Sequence, residues 1–129
     1  MNKLIDPKQF ILGGRASFGL YSLKTGKHIT YYVELRGSSY IITHNRIVVG
    51  VMDGESLQVK QSTDPRIDQA AKAFSWYWTR VLDGKTVRQI EEEQCFAYHL
   101  GRCCVCRMRL KDPESIRLGI GPICRSRRG

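Results

Sequence analysis

The chain lacks a long apolar run, and it has few acidic residues for its number of basic ones. No apolar run in its 129 residues approaches the length of about 20 residues that is needed to cross a bilayer. Residues 1–14 also lack the apolar core of a signal peptide. With 42% apolar and 26% charged residues, the composition also argues against wholesale disorder. We therefore expect a globular protein that stays in the reducing cytoplasm and has no membrane partner.

Familiar catalytic motifs are missing as well. The sequence has no Walker loop and no Gly-x-Ser-x-Gly, and no glutamate has the spacing used by zinc hydrolases or zinc deaminases. Because these patterns are absent, we expect a binding protein rather than an enzyme.

Cysteine is abundant and crowded. Of the five cysteines, three fall within residues 103–106, and an odd number cannot pair completely. In a reducing compartment such crowding predicts metal ligands rather than a disulfide framework. Cys103 and Cys106, spaced Cys-x-x-Cys, can both reach one ion from a tight turn, and tetrahedral zinc needs two more ligands. The sequence therefore predicts one structural Zn²⁺ site, whose ligands are His99, Cys103, Cys106 and Cys124. A closed set of four ligands would leave no position for a reacting water.

Several residues near this predicted site allow two interpretations. His99 is either a ligand or a packed side chain beside an apolar strand. If Cys103 binds the ion, Cys104 should point away from it. Because the two thiols are adjacent, the sequence leaves open which of them is the ligand. The glycine turn at 119–121 either contacts a phosphate or places Cys124 at the metal. Cys95 is interpreted as a core residue.

The first half of the chain has the pattern of an antiparallel sheet. Apolar and polar residues alternate in short runs that are separated by glycine-containing turns. The predicted strands are 17–23, 28–35, 40–43, 47–52 and 57–61. The economical interpretation is a meander of four to five strands.

A long helix is predicted next, over residues 65–83. Asp64 is a good N-cap and Pro65 suits the first helical position. Apolar residues then recur every three or four positions, which is typical of an amphipathic helix that covers one face of a sheet. The predicted stripe is Ile67, Ala70, Ala71, Phe74, Trp78, Val81 and Leu82, and the run from Trp76 to Trp78 is interpreted as core rather than as a base-stacking platform.

The predicted fold class is α+β: an antiparallel β-meander packed by one long amphipathic helix and followed by a small zinc-binding module. We divide the chain into a lead-in without regular structure (1–15), a sheet-plus-helix domain (16–94) and a zinc-binding module with a basic, mobile tail (95–129). Within this module, Asp112-Pro113 predicts a short helix over 113–118 that ends at Gly119.

Positive charge concentrates around the predicted metal site. The formal net charge is +9, and residues 95–129 hold eight basic residues against two acidic ones. Arginine predominates among them, and its planar fork suits phosphate recognition. The candidate partner-binding residues are Arg102, Arg107, Arg109, Lys111, Arg117, Arg125, Arg127 and Arg128.

The segment from His99 to Cys124 reads His-x-Gly-Arg-Cys-x-x-Cys-x-x-x-Leu-x-Asp-Pro-Glu-Ser-Ile-x-x-Gly-Ile-Gly-Pro-x-Cys. It resembles a functionally uncharacterised, zinc-finger-like family that is widespread in proteins of bacteriophages and other mobile elements. The resemblance is specific over 99–124 and looser over 16–84. This chain has Arg107 where the family usually has glycine, and Cys104 where it has another residue. The resemblance implies a phage-type context in a bacterial cytoplasm and no particular activity.

Two functional hypotheses follow. In the first, the zinc module and its arginines bind nucleic acid, DNA or RNA, mainly through phosphates. In the second, the chain is a phage-encoded inhibitor or modulator that binds a host protein, such as a nuclease, a polymerase or a defence complex of the CRISPR type. Basic charge serves both hypotheses, and the sequence favours nucleic acid slightly.

Overall fold

The computed structural model describes residues 2–128, without the side chain of Arg128. The elements, in chain order, are β1 (Asn2–Lys3), α1 (Pro7–Ile11), β2 (Arg15–Ser22), β3 (His28–Arg36), β4 (Ser39–His44), β5 (Ile47–Asp53), β6 (Ser56–Val59), α2 (Pro65–Leu82), α3 (Val87–Glu92), β7 (Cys95–His99), α4 (Pro113–Leu118) and α5 (Pro122–Arg128). The chain is thus a mixed α/β protein with its cysteine cluster near the C-terminus. None of the helices described is long and apolar enough to span a membrane.

The strands form one seven-stranded antiparallel sheet in the order β1-β7-β2-β3-β4-β5-β6. Strands β2 to β6 each pair with their neighbour in sequence, so the antiparallel sheet predicted for this part of the chain is confirmed. Strand β7 pairs with β2 and places His99 opposite Phe18. The segment that carries the cysteines therefore begins as an inner strand of the main sheet.

Helix α2 packs on the sheet and supplies much of the core. The Asp64 side chain accepts a hydrogen bond from the backbone of Arg66, and Pro65 follows at the first turn. The buried helical residues are Ala70, Ala71, Phe74, Tyr77 and Trp78, whereas Ile67 and Val81 are half-buried and Leu82 is exposed. The Tyr31 hydroxyl donates to the carbonyl of Ala70 at 2.6 Å, which fixes the helix against β3. Tyr77 therefore takes a core position that the predicted stripe did not include.

The predicted lead-in is structured, contrary to the expectation for residues 1–15. The Asp6 carboxylate caps α1 by accepting from the backbone of Gln9, and Pro7 begins the helix. Phe10 and Ile11 are buried in the core. The glycines that follow do not break this helix, because they come after its C-terminal end.

The tail is also structured, where a mobile segment was expected. Pro122 begins α5, which continues to Arg128. Gly129 and the Arg128 side chain lie outside the residues that the structure describes. Helix α4 matches the predicted bounds, and Gly119 ends it with a left-handed conformation at φ +74°.

Candidate metal centre

Three cysteine sulfurs converge at the C-terminal end of the chain. The Sγ atoms of Cys103, Cys106 and Cys124 all lie within 4.8 Å of one another. Cys103 is buried, and the other two are half-buried. None of the three forms a disulfide. This arrangement brings a Cys-x-x-Cys pair together with a cysteine eighteen positions further along the chain.

The loop 103–108, which we call the knuckle loop, folds tightly around the first sulfur. The backbone of Arg107 donates to the carbonyl of Cys103 at 2.9 Å, and the backbone of Cys103 donates to Met108 at 2.9 Å. The N–H of Val105 points at Cys103 Sγ, 3.4 Å away. Arg107 adopts φ +65°, the left-handed conformation that glycine takes most easily.

Backbone amides favour the thiolate form of Cys103. Burial by itself acts to raise the pKa of this thiol, but N–H groups of Gly121, Cys106 and Val105, together with the Cys106 side chain, outweigh burial and lower the pKa below its ordinary value. Gly121 is the most distant donor in sequence, and its nitrogen lies 3.3 Å from the sulfur. The glycine turn 119–121 therefore serves the cysteine site with at least one of its amides.

Cys124 lies in α5 and completes the cluster. Burial, together with the neighbouring sulfurs of Cys106 and Cys103, raises the pKa of Cys124 to about 11. The sulfurs disfavour one another as thiolates, so a divalent cation among them would remove the main obstacle to their ionisation.

The donor set fits a metal ion. Zinc binds thiolate sulfur at about 2.3 Å, which puts the sulfurs of a tetrahedral site about 3.8 Å apart, within the limit observed here. N–H groups directed at sulfur are the outer contacts that orient such ligands. Three close cysteines can thus hold a metal ion, and the all-sulfur set is typical of soft or borderline metals such as zinc.

His99 does not join the three sulfurs. Its Nε2 lies 2.5 Å from the carbonyl oxygen of Ile116, and its Nδ1 accepts from the N–H of Gly101 at 3.0 Å. The ring is 2% exposed and stacks on Phe10 with centroids 5.7 Å apart. The structure thus gives His99 the packed position that was the alternative to ligation, because both of its nitrogens are engaged by the backbone.

The cluster seen in this structure does not include the predicted histidine. Among the described residues, no other His, Asp or Glu joins the cluster. Asp112 is the acidic residue that lines the adjoining groove, but it accepts hydrogen bonds from Ser115 on both carboxylate oxygens, at 3.0 and 2.6 Å. The structure thus brings together three of the four predicted ligands, and His99 lies outside the cluster.

The two other cysteines are packing residues in this structure. Cys104 is 1% exposed, and its backbone donates to Gly119 and accepts from Arg15. A Cβ on Gly13 would lie 2.7 Å from Cys104 Sγ, so that glycine permits the close approach of the loop. Cys103 rather than Cys104 is the clustered thiol. Cys95 is buried, and burial raises its pKa to about 11.

The predicted cationic residues fall into two groups. Arg102, Arg107, Arg109 and Lys111, which we call the cationic rim, are exposed on or beside the knuckle loop, and none of them forms an ion pair with a described residue.

The second group consists of the predicted cations that lie outside the rim, in α4 and α5, and some of them are ion-paired or partly buried. Arg117 forms a two-bond ion pair with Glu114, at 3.1 and 2.5 Å. The Nη1 of Arg125 is buried without a hydrogen-bond partner among the described atoms. Arg127 is exposed on α5. The sequence shows only that these residues are positively charged, so it could not distinguish the exposed cations from the ion-paired or buried ones.

A groove of about 300 Å³ adjoins the cluster. Arg109 and Lys111 line it, together with two strongly exposed apolar side chains, Met108 (71% exposed) and Ile123 (68% exposed). This apolar pair was not predicted from the sequence. Its only sequence clue was the position of each residue one or two places from a clustered cysteine.

Residues 94–129 match the model of a family described as "Family of unknown function (DUF6011)". This segment includes β7, all three clustered cysteines and the cationic rim. No curated protein and no solved structure matches the chain.

Proposed function

We propose that this chain is a non-catalytic accessory protein in which one zinc ion, bound by Cys103, Cys106 and Cys124, orders a cationic surface that binds nucleic acid through its phosphates. The zinc supplies folding energy to the module, as in other structural sites. The phage-type context proposed for the protein rests on the sequence resemblance alone.

The observation that carries the proposal is the cationic rim. Its four side chains are exposed on one short segment, and none is neutralised by a described acidic residue. The same segment contributes two of the three clustered sulfurs. Metal binding would therefore fix the backbone from which these cations project, and a fixed set of cations suits a regularly charged phosphate backbone.

The non-catalytic part of the proposal rests on the surroundings of the sulfurs. A zinc hydrolase needs a general base beside the open coordination position. Asp112 is the acidic residue that borders the groove, and the Ser115 hydroxyl and N–H hold the pKa of its carboxyl below the usual range. Such a carboxylate is a poor base near neutral pH, because both of its oxygens already accept hydrogen bonds from the helix that it caps.

The proposal is tested with a charge-removing variant and a matched control. We expect Arg107→Gln, Arg109→Gln and Lys111→Gln together to weaken binding of a fluorescent oligonucleotide without loss of bound zinc. The control variant, Arg66→Gln, Lys85→Gln and Arg88→Gln, removes the same charge from exposed positions on or beside α2 and α3. Equal loss in the two variants would mean that net charge alone drives binding, and would contradict the assignment to the rim.

A second candidate function is supported by the exposed apolar pair. Met108 and Ile123 line the groove beside Arg109, and exposed apolar side chains flanked by cations are typical of a protein-binding site. The partner would then be a host protein with an acidic surface. In pull-downs from nuclease-treated host lysate, a single protein held by wild type and lost by Met108→Ser, Ile123→Ser would favour this candidate. Retention by the variant would exclude the apolar pair as the contact.

A further inference from the structure

The sheet has a second face that the long helix does not cover. Phe18 and Leu20 of β2 point into the core beneath α2, so the alternation of a strand directs Ser17, Gly19 and Tyr21 to the opposite side. We call this opposite side the open face. On β3 it carries Thr30 and Tyr32, and on β7 it carries Phe96 and Tyr98, by the same register.

A groove of about 400 Å³ lies at the end of the open face that adjoins the knuckle loop. Its lining includes the hydroxyl-bearing residues Ser17, Thr30 and Thr43 and the guanidinium-bearing residues Arg46 and Arg107. No described carboxylate lines it. A polar groove with two arginines and no acid has the charge of an anion site, and planar guanidinium groups suit phosphate oxygens.

The two arginines come from different parts of the fold. Arg107 reaches over from the knuckle loop, and its guanidinium carbon lies 4.5 Å from the centroid of the Tyr32 ring. Arg46 projects from the turn between β4 and β5, where it adopts φ +68°. Neither arginine forms an ion pair with a described residue. Both charges are therefore available to a ligand in the groove.

An aromatic surface continues from the groove along the face. The Tyr98 ring crosses over Gly19, where any Cβ would collide with its hydroxyl. Gly19 pairs with Thr30, which lines the groove, and with Tyr98 on its other side, so Tyr98 lies two strands from that lining residue. Tyr98 is 7% exposed, and its hydroxyl has no hydrogen-bond partner among the described atoms. A buried hydroxyl without a partner is costly unless a ligand or water completes it.

Further aromatic rings extend the surface beyond Tyr98. The His28 ring lies 5.1 Å from that of Tyr98 and 6.3 Å from that of Tyr21, and Phe96 pairs with Tyr21 across the strands. His28 and Tyr32 are four residues apart on β3, or about 13 Å at the rise of a strand. This length fits about two extended nucleotides.

We propose that the open face binds single-stranded nucleic acid, with phosphate between Arg46 and Arg107 and bases against the aromatic surface. This inference rests on the proposed function and names the form of nucleic acid and a second binding surface. Single strands are favoured over duplexes because unpaired bases can stack on aromatic rings and on guanidinium planes. The Arg107 guanidinium, stacked on Tyr32, offers such a plane beside the groove.

The experiment measures fluorescence anisotropy of a labelled single-stranded oligomer of about 12 nucleotides, with its duplex as the comparison. Arg46→Glu reverses one charge in the groove and lies outside the cysteine module, so we expect about a tenfold loss of affinity. Arg88→Glu is the matched control, because Arg88 is exposed on α3, a helix that packs against β7 from the helix-covered side. The control should bind like wild type.

Tyr98→Phe provides a second variant that removes a single atom. Because the hydroxyl has no described partner in the free protein, its removal should leave thermal stability unchanged or raise it. If the ligand completes this hydroxyl, affinity should fall about fivefold, the usual size of one net hydrogen bond.

The outcomes separate this inference from the proposed function. Unchanged affinity in both Arg46→Glu and Tyr98→Phe, with loss in the triple rim variant, would overturn the open face and leave the cationic rim as the site. Equal affinity for duplex and single strand would overturn the single-strand assignment. Absence of binding to either form at low salt would overturn both proposals.

Discussion

The imidazole of His99 bridges Gly101 and Ile116. Its Nδ1 accepts from the N–H of Gly101 at 3.0 Å, and its Nε2 lies 2.5 Å from the carbonyl oxygen of Ile116. The neutral ring with hydrogen on Nε2 satisfies both contacts at once. His99 thus joins the end of β7 to α4 and holds the cysteine-bearing segment against the main sheet.

Replacement of His99 is expected to affect stability rather than metal content. In His99→Ala the Ile116 carbonyl loses its donor and the ring stacked on Phe10 is lost, so the free energy of unfolding should fall by about 2–4 kcal/mol. Denaturant unfolding and elemental analysis of the same sample measure both effects. Loss of one zinc per chain from a variant that remains folded would show that His99 is a ligand after all.

The free energy of unfolding should also depend on pH through His99. Burial lowers the pKa of this histidine below its ordinary value of 6.5, although the contact with Ile116 opposes the shift. The unfolded chain therefore binds the proton more readily, and stability should be full above about pH 6.5 and fall as the pH decreases below it. Comparison with His99→Gln separates the contribution of His99 to the free energy of unfolding from that of proton uptake by the cysteines. If the free energy of unfolding changes with pH in the same way in both proteins, His99 does not make this contribution.

Zinc content should depend on the three clustered cysteines and not on their neighbour. Cys124→Ser should release the metal and unfold the C-terminal segment, because binding energy in such sites is folding energy. Cys104→Ala should retain one zinc per chain, since Cys104 lies outside the cluster. X-ray absorption should find three sulfur neighbours around the metal. The reverse pattern in the two variants would make Cys104 the ligand.

The core role of α2 is tested at Phe74. This residue is 1% exposed and its ring lies 5.4 Å from that of Tyr31 and 6.1 Å from that of Phe18. Phe74→Ala should destabilise the protein by about 3–5 kcal/mol. Leu82→Ala on the same helix is the control, because Leu82 is 41% exposed and should cost far less. A loss below about 1 kcal/mol at Phe74 would mean that this part of the helix is not core.

The sequence predicted those strands and helices whose formation depends on residues close to one another in the chain. Asp64-Pro65 and Asp112-Pro113 both begin helices, through capping contacts that depend on neighbouring residues. Asp6-Pro7 has the same pattern and begins α1, so the helix in the supposed lead-in was predictable from the rule already applied elsewhere. Thr86 and Gln89 form a capping box that likewise marked α3.

The site was harder to predict, because its composition depends on contacts between distant segments. Spacing sufficed for Cys103 and Cys106, which one turn holds together. Cys124 was predicted as a ligand too, and its position in α5 brings it to the other two sulfurs. His99 has an equally suitable spacing, but the carbonyl of Ile116 occupies its Nε2, and sequence separation does not reveal that contact. The groove on the open face also depends on contacts between distant segments, because Arg46 comes from the turn between β4 and β5 and Arg107 from the knuckle loop.

Phosphate binding by the cationic rim can be measured through the salt dependence of oligonucleotide binding. For each phosphate contact on a single strand, the logarithm of the binding constant falls by about 0.7 per tenfold increase in salt. We expect wild type to bind at low salt with a slope of several such contacts, and the Arg107→Gln, Arg109→Gln, Lys111→Gln variant to have a slope shallower by about 2. An identical slope in wild type and variant, or no binding by wild type at low salt, would contradict it.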